Sequence, residues 1–185
     1  SGQHNAANPR TPNPYGHIIR WQERRNDMTG TAFDWDLFVL AGDPAYDSRV
    51  TIKGDKYGSP DGLYFDADGR LWIQTDISNS SQNLASKGYD GIGNNMMLAA
   101  DPPTGETRRF LTGPRGCEIT GVVTTPDQRT MFVNVQHPGE STTAWGTPTP
   151  ANPRAVSNWP EFDPAGRPRP STVVIRRLDG GVIGA

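Results

Sequence analysis

One hairpin plan appears twice in this chain, and both copies carry acids. Ser59-Pro60-Asp61-Gly62-Leu63-Tyr64-Phe65-Asp66 passes through the tight Asp66-Ala67-Asp68-Gly69 turn into Leu71-Trp72-Ile73-Gln74-Thr75-Asp76. Further on, Gly116-Cys117-Glu118-Ile119-Thr120-Gly121 passes through Thr125-Pro126-Asp127 into Phe132-Val133-Asn134-Val135-Gln136-His137-Pro138-Gly139-Glu140. Trp72 and Phe132 hold equivalent places, so the apparent period is near 60 residues. Self-similarity at a fixed spacing points to stacked copies of one unit. The period is longer than common propeller repeats but fits a blade with a loop insertion. The expected fold is therefore all-β, part of a β-propeller, with the acids aimed at a shared centre where such a fold binds metal.

Composition agrees. Glycine and proline supply 21 and 17 of 185 residues, too much punctuation for long helices. Hydrophobic residues are 34%, which limits the core, while the aromatic and β-branched residues argue against full disorder. A formal charge of −2 provides no global basic field for nucleic acid. No apolar run approaches the roughly 20 residues of a membrane span. Cys117 is the single cysteine, so no intrachain disulfide forms; the compartment is not read from it.

Local patterns divide the chain into strands and turns. Residues 4–14 are irregular. Strands are expected over 15–21 and 31–40, with Phe33, Trp35, Leu37 and Val39 on one side of the second. The Asp-Gly turn joins strands at 63–65 and 71–75. Residues 76–95 read as a long polar loop, and loops of that length in compact domains are usually functional or mobile. A hairpin with Thr104-Gly105 at its tip joins 96–100 to 107–111; a second joins 122–124 to 131–135. Residues 139–170 read as a tethering loop, 171–178 as a last strand. No helix is expected. About nine strands make two to three blades, whereas a closed ring needs roughly four to eight. The expectation is one domain over 1–185, the C-terminal fragment of a larger ring whose N-terminal blades are its first partner.

Several side chains sit where chemistry is possible. Asp61 precedes glycine at a strand mouth, where a carboxylate suits a hard cation, or caps a turn. Glu118 stands in an apolar stretch, where an ionised carboxylate needs a metal or an arginine to relieve it; Arg115 is near in sequence. Asp76, Asn79, Asn94 and Asn95 bracket the long loop and either complete an oxygen shell or face solvent. Cys117 reads as a packing residue, a thiolate ligand or, lacking a paired base, least well as a nucleophile. His137 reads as a ligand, a general acid or, most simply, a turn anchor. The spacings of a structural zinc site, a phosphate loop and a nucleophile elbow are all missing.

Four segments in order resemble the PhoX-type alkaline phosphatases: Asn13-Pro14-Tyr15-Gly16-His17-Ile18-Ile19, the Ser59-Pro60-Asp61-Gly62 hairpin, Gly93-Asn94-Asn95-Met96, and the run from Glu118 to Gly121 with Val133 to Glu140. The resemblance implies the C-terminal part of a six-bladed propeller phosphatase, periplasmic or secreted, exported by the twin-arginine route. It implies a phosphomonoester substrate and Ca2+ and Fe3+ as cofactors. Onto this sequence it places Glu118 and Asp61 first as metal ligands, then Asp76 and Asn95, with Arg115 binding phosphate. A thiolate ligand is not carried onto Cys117, because that role falls to blades outside this chain. A fragment with part of the ligand set is expected to turn over little by itself. Two rivals fit the same hairpins: a calcium-dependent lactonase-like propeller, and a non-catalytic module that binds a partner through its loops.

Overall fold

The computed structural model describes residues 2–185. Ten strands form three sheets: β1 (His17–Glu23), β2 (Phe33–Leu40), β3 (Lys53–Gly54), β4 (Pro60–Phe65), β5 (Leu71–Thr75), β6 (Met96–Ala100), β7 (Glu106–Thr112), β8 (Glu118–Thr124), β9 (Met131–Gln136) and β10 (Ser171–Ile175). β1 and β2 form a two-stranded ribbon, β3-β7-β6-β5-β4 a five-stranded sheet, and β10-β9-β8 a three-stranded sheet. The expected hairpins are present. The strands differ at their ends: β4 and β8 begin several residues earlier than local pattern indicates, so Asp61 and Glu118 lie within strands. The short β3 pairs in parallel with β7, and β10 returns across a long loop to β9. Single turns of 3-10 helix occur at Arg24–Asn26 and Ala85–Lys87.

The sheets stack in chain order, and strand alternation shows how. Along β5 and β6, Leu71, Ile73, Met96, Leu98 and Ala100 join a core shared with Ile18 and Val39 of the ribbon. Their alternate neighbours Trp72 and Met97 join a second core with Ile119, Met131, Val133 and Val135 of the three-stranded sheet. All five residues of β5 are buried, as expected for a strand covered on both faces. The indole Nε1 of Trp72 donates to Asp66 at 2.9 Å, so its polar edge is satisfied inside the core.

The ribbon departs from the expected single apolar side. Phe33 and Trp35 are exposed, and of the four residues expected together only Val39 is deeply buried. A bulge between Ile18 and Ile19 shifts the pairing, and a one-residue shift turns following side chains to the other face. Beyond it a groove of about 800 Å³ opens between β1 and β4, bordered by Phe38, Leu63 and Phe65.

Candidate functional site

Asp61, Asp76 and Glu118 come to one end of the stack because of how their strands begin and end. Asp61 is the second residue of β4, and Asp76 immediately follows the partner strand β5, where its N–H donates to the Ser59 carbonyl at 3.0 Å. Glu118 is the first residue of β8, which packs on β5 and β4. Burial raises the Glu118 carboxyl above its ordinary range, and the charges of Asp76 and then Asp61 push it the same way, against the relief offered by His137. Glu118 thus feels the charges of two carboxylates from the neighbouring sheet. Like charges brought together favour a cation or a proton. Among the described residues no three His, Cys, Asp or Glu side chains are grouped so as to hold a metal ion by themselves. Carboxylate oxygens of this kind suit a hard cation.

The corner after β9 closes the site from the other side. His137 has φ of +37°, a conformation that non-glycine residues rarely hold without support. Its Nδ1–H donates to the Gly116 carbonyl at 3.2 Å, which leaves Nε2 facing the Glu118 carboxylate at 3.6 Å. Glu140 approaches Nδ1 at 3.3 Å and accepts a hydrogen bond from Asn79 Nδ2. Gln136 Nε2 donates to Glu118 at 3.0 Å. His137 is therefore the turn anchor read from its position, and also the neighbour of the central acid. Glu140, Gln136 and Asn79 were missed as a group. The spacing of Gln136, His137 and Glu140 was visible; their contact with the loop at Asn79 spans 61 residues and had no local signature.

Asn95 has a different task from the one expected of it. It is 1% exposed. Its Oδ1 accepts from Thr75 Oγ1 at 2.8 Å and the Ile77 N–H at 2.6 Å, while Nδ2 donates to the carbonyls of Cys117 at 2.8 Å and Ile77 at 3.2 Å. Its amide oxygen already accepts two hydrogen bonds, so Asn95 ties the end of β5 to the residue before Glu118. Cys117 is fully buried, and burial pushes its thiol up to about 12; it packs. Arg115 is exposed, its guanidinium 5.0 Å from the Trp145 ring centroid, and no carboxylate pairs with it among the described residues. A stacked, unpaired guanidinium presents its donors to an anion.

Residues 1–139 match the family described as alkaline phosphatase PhoX. The structure also superposes on Pseudomonas fluorescens PhoX in complex with vanadate, a transition-state analogue. The TM-score is 0.79 at 46% identity, over 96% of this chain and 29% of that one. The chain thus spans under a third of that neighbour's length. No curated protein matches.

Proposed function

The chain belongs to the PhoX alkaline phosphatase family, and we propose that it forms part of a metal-dependent phosphomonoesterase whose cation site includes Glu118, Asp61 and Asp76. The observation that carries this reading is the half-buried Glu118 carboxyl, raised first by its burial and then by the charges of Asp76 and Asp61 at neighbouring strand ends. Bound Ca2+ or Fe3+ supplies Lewis-acid stabilisation of charge on phosphoryl oxygens. The side chains named here do the rest. The three carboxylates hold the cations, Asn95 fixes the spacing of β5 and β8, and Arg115 orients the anionic end of a phosphate monoester from its stack on Trp145.

Three sheets stacked in chain order, with apolar residues exposed at both ends of the stack, support reading them as parts of successive blades of a six-bladed ring. Residues 1–185 are then the C-terminal portion of the catalytic domain, whose remaining blades complete the site. No helix among the described residues is long and apolar enough to cross a membrane; a periplasmic or secreted location accords with the family resemblance. The test uses the longer protein of which this chain would be a part. Wild type is expected to hydrolyse p-nitrophenyl phosphate and leave lactones untouched. Glu118→Gln should reduce kcat by at least about 100-fold, as loss of a key charge-stabilising group does. Arg115→Ala should chiefly raise KM. Unchanged phosphatase activity in Glu118→Gln would overturn the assignment.

A further inference from the structure

The strand next to Asp61 contains a buried amide nitrogen that nothing among the described residues satisfies. Gln74 is 2% exposed, and its Nε2 has no hydrogen-bond partner. Leaving such a donor unpaired costs on the order of 1–3 kcal/mol. Glycine at position 62 leaves the amide its place: a Cβ there would lie 2.7 Å from Gln74 Oε1, so the Gln74 head would have to shift. The β4–β5 pairing slips between Pro60 and Leu63, which sets Asp61 and Gly62 together opposite Gln74. Gln74 alternates with Thr75 and Ile73 and so shares the face of Trp72, the face that packs against the strand opened by Glu118. Its head therefore lies in the space between the backbone that carries Asp61 and the strand that carries Glu118.

The sister hairpin sharpens the point. There Gly121 stands against Asn134, whose Nδ2 would lie 2.5 Å from a Cβ at position 121, so the same glycine-and-amide pairing is built again. Thr120 replaces Asp61 and Gln136 replaces Asp76. In that copy, which lacks both acids, the amide is only part-buried, and Asn134 Oδ1 accepts from Thr172 Oγ1 at 2.7 Å. The fully buried amide, with its nitrogen unpaired, is the one beside the acids.

Resting on the cation site described above, we propose that Gln74 is a positioning residue of that site, its Nε2–H donating to an oxygen of the cation's coordination shell. Such outer partners tune affinity: their loss typically weakens metal binding by about 10–100-fold. The test measures Ca2+ affinity by calorimetry, and Tm with and without Ca2+, in wild type, Gln74→Leu, Gln74→Met and Asn134→Leu. Both Gln74 variants are expected to bind Ca2+ at least about 10-fold more weakly while their metal-free Tm is equal to or above wild type, because an unpaired donor has gone. Asn134→Leu should leave affinity unchanged. Wild-type affinity in either folded Gln74 variant, with a lowered metal-free Tm, would show a packing role and overturn the inference while the cation site stands. Absence of Ca2+ binding by wild type would overturn both.

Discussion

The β4–β5 and β8–β9 hairpins are one scaffold used twice under different cover. Each inner strand slips register around a glycine, Gly62 in one and Gly121 in the other, and each partner strand answers with an amide. Each carries an aromatic at the same place, Trp72 or Phe132. The difference is in what lies over them. Trp72 is fully buried beneath the three-stranded sheet, whereas Phe132 is only half-buried and its neighbours Val123 and Val174 are exposed. The chemistry diverges with the cover: the first hairpin brings Asp61 and Asp76 to the junction, the second brings Glu118. The repeat supplies geometry, and the junction between copies gathers the acids.

The comparison breaks most easily at the aromatics. Trp72→Ala removes a buried indole and leaves Asp66 without one of its donors, so it should cost about 3–5 kcal/mol in urea denaturation. Phe132→Ala, on the open face, should cost about 1–2 kcal/mol. Equal losses would mean that both faces are covered alike, and the contrast in cover drawn above would fail.

A smaller effect comes from the acid at the junction. The folded Glu118 carboxyl is raised, so the folded state takes up protons more readily than the unfolded chain. The contribution of this one group to the stability of the metal-free protein is therefore greatest below the ordinary glutamate range and is lost as pH rises through the folded value. Glu118→Gln should flatten this slope in thermal melts and raise the metal-free Tm near neutrality. An unchanged pH slope would show that Asp61 and Asp76 do not press on this group. No such gain is expected from Thr120→Ala in the sister frame.

Much of this was legible in the residues. The Asp-Gly turn, the alternation of β5 and β6 and the spacing of Trp72 and Phe132 are local signals, and they led to the right hairpins and to acids at strand mouths. The return of β10 was not legible, because Ser171 finds Val135 only through a long loop without periodicity. Nor was β3, whose two residues are held by parallel pairing with Glu106 and Thr107. Within the site, Asn95 and Gln74 look alike as polar residues near acids. Burial and partners separate them, one amide with its oxygen and nitrogen both engaged and the other with its donor unpaired, and neither property is written in local pattern. Arg115 was visible as a cation near Glu118, but its stack on Trp145 depends on a loop folding back over 30 residues.

The central claim is that one cation joins Asp61 in the first hairpin to Glu118 in the second. A double-mutant cycle of Asp61→Asn and Glu118→Gln, read as the free energy of Ca2+ binding, tests it most directly. Each single change should weaken binding, and the pair should depart from additivity by at least about 1 kcal/mol, as residues sharing one partner do. Additivity within about 0.5 kcal/mol, or Ca2+ affinity indifferent to either change, would contradict a shared site.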